Sequence, residues 1–279
     1  YYKNSLIELF HRLHTLNDDP FNRTAECLHL QELLLHRIIH YERRIRQRRV
    51  AREQLRYALR YKSVKHLSKE EALLLKSNIQ QHEDSIESYL FACNILRQIG
   101  DGIAFSYLPK WDIKPMAFKE FPGFLTGNSG LSLERRVGRE IFRNGGIAIL
   151  NALTNCLRFG DVTFIDPERY SLIEVKGGRA RTQRDFRQQR EKARIEEYLS
   201  QDHVCGLFGL DLELRRKELH YEEIYHHAEL NNLIADANTI GTSCKKIEEG
   251  LFYLVETAHS LETQLHQASF PDQSYLSFQ

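Results

Sequence analysis

Between Pro20 and Gly100 the chain has neither glycine nor proline, and its apolar residues recur every three or four positions. Leu28, Leu33, Leu34, Ile38 and Ile39 lead into Ile45, Leu55 and Leu59, a spacing that lines one face of an α-helix. This predicts one helix from about Thr24 to Lys62. A second is predicted from Ser68, where Ser68-Lys69-Glu70-Glu71 has the form of a capping box, to about Gln98, with Gly100 as its stop. Two helices of that length joined by a short connection form an antiparallel hairpin, because neither buries its apolar stripe alone in water.

Beyond Gly100 the composition changes. Residues 101–130 carry three of the six prolines and the single tryptophan, which suggests a linker that leads out of an α-helical hairpin domain at residues 1–100. A helix is expected from Leu131 to about Asn144, two short strands around Arg158–Gly178, and a charged helix from Thr182 to Leu199. A buried strand is expected at "HVCGLFGL", a further β segment near Leu212–Tyr225, and a helical tail over 228–279. Helix, strands, helix, strand is a mixed α/β order, so residues 131–227 are expected to form a second domain.

The chain is long enough, and at 42% hydrophobic content apolar enough, to bury a sizeable core. Its 39 basic and 38 acidic residues nearly cancel, so a surface for a polyanion has to come from local segregation of charge. Five scattered cysteines without a Cys-x-x-Cys pair suit neither a disulfide framework nor a thiolate zinc site, and fit a reducing, cytoplasmic setting. No apolar run reaches the ~20 residues of a membrane span, and no secretory signal follows Tyr1. A first residue other than Met is compatible with a piece of a longer protein.

The stretch "RFGDVTFIDPERYSLIEVKGG" carries the chemistry. Asp161–Ile165 and Tyr170–Lys176 read as antiparallel strands joined through Asp166-Pro167-Glu168-Arg169, with Ile165 opposite Tyr170. That register puts Asp161 opposite Glu174, about 5 Å apart at Cβ, with Lys176 on the same face. On an arbitrary hairpin such a face is a solvated polar surface. Two carboxylates so close repel unless a cation lies between them, and a hard divalent ion, Mg²⁺ or Mn²⁺, suits oxygen ligands. With Lys176 beside it, such a site has the parts for phosphodiester hydrolysis.

Asp161 followed by Glu174-Val175-Lys176 resembles the signature of the PD-(D/E)XK nuclease superfamily, with Gly160 where the name of the pattern has proline. The resemblance covers about Leu131 to Leu210. It implies a restriction-endonuclease-like core of mixed sheet flanked by helices, in which Asp161, Glu174 and Glu134 bind the metal and Lys176 activates or positions water. Glu134 in "LERRVGREIF" matches the acid of the preceding helix, with Glu140 as the alternative. Gln189 matches the last position, on a face shared with Phe186 and Ala193, with Gln183 and Gln188 as alternatives. The resemblance also implies DNA as substrate, and a setting in bacterial or phage-related defence or DNA processing.

Arginines cluster in two places. Arg49, Arg52 and Arg56 form a helical stripe, and Arg179, Arg181 and Arg184 come directly after the site; each set can contact phosphates. For the first, a helix face paired with acids on its neighbour is an equal reading. Tyr57 and Tyr61 are expected to pack. The histidine pairs His11/His14, His36/His40 and His226/His227 lack a third ligand. The sequence therefore points to a Mg²⁺-dependent endodeoxyribonuclease, a homodimer through its helical hairpin, with a partner protein as another use of those helices. A non-catalytic scaffold, or a nuclease for RNA or branched DNA, is the alternative.

Overall fold

The computed structural model describes residues 2–61, 68–117, 123–166, 169–176, 183–207, 211–216 and 224–257, with side chains at all of these except 2–5, 114, 183–185, 187 and 188. Two compact units divide the chain, Tyr1–Glu218 and Leu219–Gln279.

In the first unit α1 (Tyr2–Asp18), α2 (Thr24–Arg60) and α3 (Lys69–Tyr107) supply the long helices. The capping box forms: Glu71 N–H donates to Ser68 Oγ at 3.1 Å and Ser68 N–H donates to the Glu71 carboxylate at 2.7 Å. The predicted stop at Gly100 is corrected, since α3 continues two turns further. Glycine there serves close approach rather than termination. A Cβ on Gly100 would lie 2.0 Å from the carbonyl oxygen of Leu153, and one on Gly102 would lie 2.4 Å from Leu13 Cδ2.

The division into a hairpin domain at 1–100 and a linker at 101–130 is corrected with it. Residues 101–107 belong to α3, α4 (Lys110–Met116) comes next, and Leu34, Ile38, Leu96 and Ile99 share one core with Ile149, Val162 and Ile195. The segment before the next helix is held by a buried acid. Glu42 accepts the N–H groups of Leu125 at 3.0 Å and Thr126 at 2.7 Å and pairs with Arg97 at 3.3 Å, so its charge is compensated on every side.

Next come α5 (Leu131–Arg143), β1 (Ile147–Leu150), a 3₁₀ turn (Asn151–Leu153), β2 (Val162–Asp166), β3 (Arg169–Ile173), α6 (Gln183–Gln201), β4 (His203–Cys205) and β5 (Glu213–Arg215). Strands β1, β2 and β3 form an antiparallel sheet in that order, with Ile147 opposite Ile165 and Ile165 opposite Tyr170, the register expected for the hairpin. The open edge of β1 is covered by a side chain. Gln31 of α2 donates to Ala148 O at 2.8 Å and accepts Leu150 N–H at 2.9 Å, so its amide pairs with β1 as a neighbouring strand would. Helix α5 lies on the sheet at Gly138, where a Cβ would make only ordinary contact with Leu150 and Ala148, at 3.4 and 4.0 Å.

The class is mixed α and β with small antiparallel sheets. The expected mixed sheet is not formed among the described residues, because β4 pairs with β5, antiparallel, instead of joining β1–β3. In the second unit the helical tail is also corrected: α7 (His227–Ile240) ends at Gly241 with φ +89°, and β6 (Thr242–Glu248) pairs with β7 (Leu251–Glu256). The turn between them contains Gly250 at φ +81°, a conformation that favours glycine. No helix among the described residues is long and apolar enough to cross a membrane.

Gly100→Ala tests the docking of α3 on the 3₁₀ turn. Helix propensity alone favours alanine by ~1 kcal/mol, whereas forcing a Cβ against a backbone oxygen 2.0 Å away costs about 1–3 kcal/mol, toward the upper end because backbone cannot swing aside. Urea denaturation is expected to show net destabilisation; a variant at least as stable as wild type would mean that the close approach contributes nothing.

Candidate active site

Asp161 sits where the chain bends into β2. Gly160 adopts φ +73°, and a Cβ there would stand 3.0 Å from Ile173 O, so both conformation and space call for glycine. This is a local reason for the Gly-Asp pair. Asp161 N–H donates to Ile173 O at 2.8 Å, and its Oδ2 accepts Val175 N–H at 2.7 Å.

The expected facing pair is modified in detail. The regular ladder ends at Val162 opposite Ile173, one pair short of Asp161 and Glu174. Glu174, Val175 and Lys176 continue as irregular chain, with Glu174 half-buried and Lys176 exposed. The Asp161 carboxylate is thus fixed by a backbone amide from the Glu-x-Lys segment rather than by cross-strand pairing. Ile173 and Val175 pack against the core, as the alternation requires.

Glu134 stands in the first turn of α5 and is only 4% exposed, on the buried stripe with Leu131 and Gly138. Asn128 donates to its Oε1 at 3.3 Å, while Asn128 Oδ1 accepts the N–H of Gly130. Burial, and then the nearby charges of Asp161 and Glu174, push the Glu134 carboxyl up to about 7, against the opposing pull of the Asn128 amide. Glu140 is exposed and held by Arg143 and Asn144, so only Glu134 faces the other two acids. The carboxyl of Asp161 is raised by burial, an effect opposed by the Val175 amide and by the charge of Lys176. Glu134 is thus within electrostatic reach of Asp161 and Glu174, and Asp161 within reach of Lys176.

Gln189 is not part of this group. It does share a helix face with Phe186 and Ala193, but that face is exposed, Phe186 by 56%, while α6 buries Ile195 and Tyr198. Sequence reasoning misjudged the phase of a helix that is charged all round. The side chains of Gln183, Gln188 and Arg184 lie outside the described residues, as do Gly177, Gly178, Arg179 and Arg181 in full.

Two of the three α2 arginines, Arg52 and Arg56, are paired with acids. Arg52 and Arg56 bind Glu53 at 2.9 and 3.1 Å and reach Glu83 on α3 at 3.8 and 2.5 Å, and Arg49 lies over the ring of Phe124 at 5.1 Å. Tyr57 and Tyr61 are exposed rather than packed and lean on each other, with centroids 4.2 Å apart. Asn128 was missed; its Asn-x-Gly spacing just before a helix was the available signal.

Among the described residues no three His, Cys, Asp or Glu side chains stand close enough to hold a metal ion unaided. The donor set nevertheless suits a hard divalent ion. The acids repel one another, and an ion of this kind is commonly held by one or two carboxylates, with waters and phosphate oxygens completing the shell.

The raised Glu134 carboxyl makes stability depend on pH in the metal-free protein. Its folded pKa lies above the ordinary 4.5, so the contribution is full below about 4.5 and is lost as pH rises through about 7. Glu134→Gln, which stays neutral, is expected to be more stable than wild type at pH 8 by ~2 kcal/mol, a gap that closes toward pH 5. Parallel thermal denaturation at the two pH values measures it; a constant gap would show that ionisation of Glu134 is not the cause. Comparison with protein-family models, curated proteins and solved structures finds no match to this chain.

Proposed function

We propose that the protein is a metal-dependent endodeoxyribonuclease of the PD-(D/E)XK type. The observation that carries the reading is the placement of Glu134, 4% exposed and within reach of the charges of Asp161 and Glu174, with Asp161 Oδ2 accepting the Val175 amide of the Glu-x-Lys segment at 2.7 Å. Burying an acid among other acids costs stability, and a site that binds a cation is the usual setting for such a cost. The element order around it, α5, β1, β2, β3, α6, β4, supports the same reading. DNA is preferred to RNA through the family resemblance.

Asp161 and Glu174 would hold the ion, with Glu134 supporting it or its waters. A bound Mg²⁺ would neutralise charge on a phosphate oxygen and lower the pKa of water. The chain's own contributions come from its geometry. The Val175 amide orients Asp161 through Oδ2, and burial restricts solvent around both Asp161 and Glu134. Lys176, exposed beside them, would hold the attacking water and stabilise negative charge as it develops. Glu134 has to lose its proton to support a cation.

Cleavage of supercoiled plasmid and linear duplex in Mg²⁺ or Mn²⁺ tests the reading. Asp161→Asn, Glu174→Gln and Lys176→Ala are each expected to lower the rate by at least ~10²-fold in folded protein, and EDTA to abolish it. Activity that survives all three substitutions would move the chemistry elsewhere. No cleavage of duplex, single strand, junction or RNA, together with no metal binding, would favour the scaffold.

A further inference from the structure

Asn151 is buried, 3% exposed, and spends its backbone N–H and both ends of its side-chain amide within two residues of Asp161. Its backbone N–H donates to Asp161 O at 3.0 Å, and its carbonyl accepts Thr154 N–H and Oγ1 at 3.0 and 2.9 Å. Its side-chain Nδ2 donates to Phe159 O at 2.7 Å and Gly160 O at 3.2 Å, and its Oδ1 accepts the hydroxyl of Thr163 at 2.7 Å. The two carbonyls on Nδ2 belong to the residues just before Asp161, and Thr163 lies two residues after it. One side-chain amide thus clamps the bend that aims the carboxylate.

We infer that Asn151 is a positioning residue for Asp161, acting through the Phe159–Gly160 carbonyls to set the orientation of the proposed metal ligand; this rests on the nuclease reading above. The clamp is separate from what holds the rest of the loop. The segment after the 3₁₀ turn is anchored by Asp101, which accepts Asn155 N–H at 2.6 Å and Cys156 N–H at 2.9 Å, and by Thr154 Oγ1, which accepts Leu157 N–H at 3.0 Å. Strand β2 is held by its ladders to β1 and β3. The amide of Asn151 adds the choice of peptide orientation at residues 159–161. Only an amide fits, because two carbonyls need donors while a hydroxyl needs an acceptor.

Asn151→Asp keeps the shape and removes both donors. Thr163→Val removes the hydroxyl that orients the amide, and Thr163→Ser keeps it. In folded Asn151→Asp without metal, amide exchange at Asp161 and Val175, whose N–H reaches the Asp161 carboxylate, is expected to speed up while β1 stays protected. With metal, calorimetry is expected to show Mn²⁺ binding weakened ~10- to 100-fold, as for the loss of an outer partner of a metal ligand. The kcat should fall in step, with little change in KM for DNA once metal saturates. Thr163→Val should be intermediate and Thr163→Ser close to wild type.

Unchanged exchange at residues 161 and 175 in a folded Asn151→Asp protein would overturn the inference. So would a fall in thermal stability with unaltered Mn²⁺ affinity where wild type binds Mn²⁺. Faster exchange at both sites in a protein whose wild type takes no metal would uphold the clamp and overturn the nuclease reading instead. Should Asn151→Asp fail to fold, the contrast between Thr163→Val and Thr163→Ser in the same measurements decides the matter in the same way.

Discussion

The contact of the Gly100 α-carbon with the carbonyl of Leu153 is the constraint on which the site depends. A Cβ there would overlap the oxygen, at 2.0 Å, so a long helix and a one-turn 3₁₀ segment touch backbone to backbone. This fixes where β1 ends and the chain turns toward Asp161. The next residue, Asp101, then takes the amides of Asn155 and Cys156 and carries the same anchoring further round the loop.

The helical hairpin is thus the platform under the sheet. Gln31 of α2 covers the edge of β1, and Glu42 with Arg97 holds the segment that precedes α5. A sheet of only three short strands has too little surface to bury a core by itself. Long helices supply the missing apolar surface and, through a few buried polar side chains, the precision. Buried groups such as Gln31 and Glu42 are tolerated because each polar end is matched to a backbone partner; left unmatched, each would cost on the order of 1–3 kcal/mol.

The site itself is held by backbone groups to an unusual degree. Asp161 is oriented by an amide of the Glu-x-Lys segment and by a turn that glycine permits, and Glu134 by an asparagine that caps its own loop. Burial first, and then the charges of Asp161 and Glu174, raise the carboxyl of Glu134. A proton at low pH, or a cation in the function proposed for the site, offsets that cost.

Much of this was legible in the residues. The capping box at Ser68, the start of α5 and the register of the β2–β3 hairpin come from local rules of spacing and turn chemistry, and each formed. The charges of Asp161 and Glu174 do reach Glu134, but the cross-strand pairing expected of Asp161 and Glu174 is replaced by a backbone contact to Val175, and Glu134 was indicated by resemblance to a family pattern rather than by spacing. Tertiary structure decided the rest. Gly100 ended nothing, since its neighbour in space lies some fifty residues away; Gln189 faced outward, since a helix charged on every side does not announce its buried stripe. The role of Asn151 was invisible because its partners come from a loop whose path only the packed fold defines. Local propensity and periodicity are properties of the chain, whereas the satisfaction of buried polar groups belongs to the assembled core, and there the orientation of Asp161 is set.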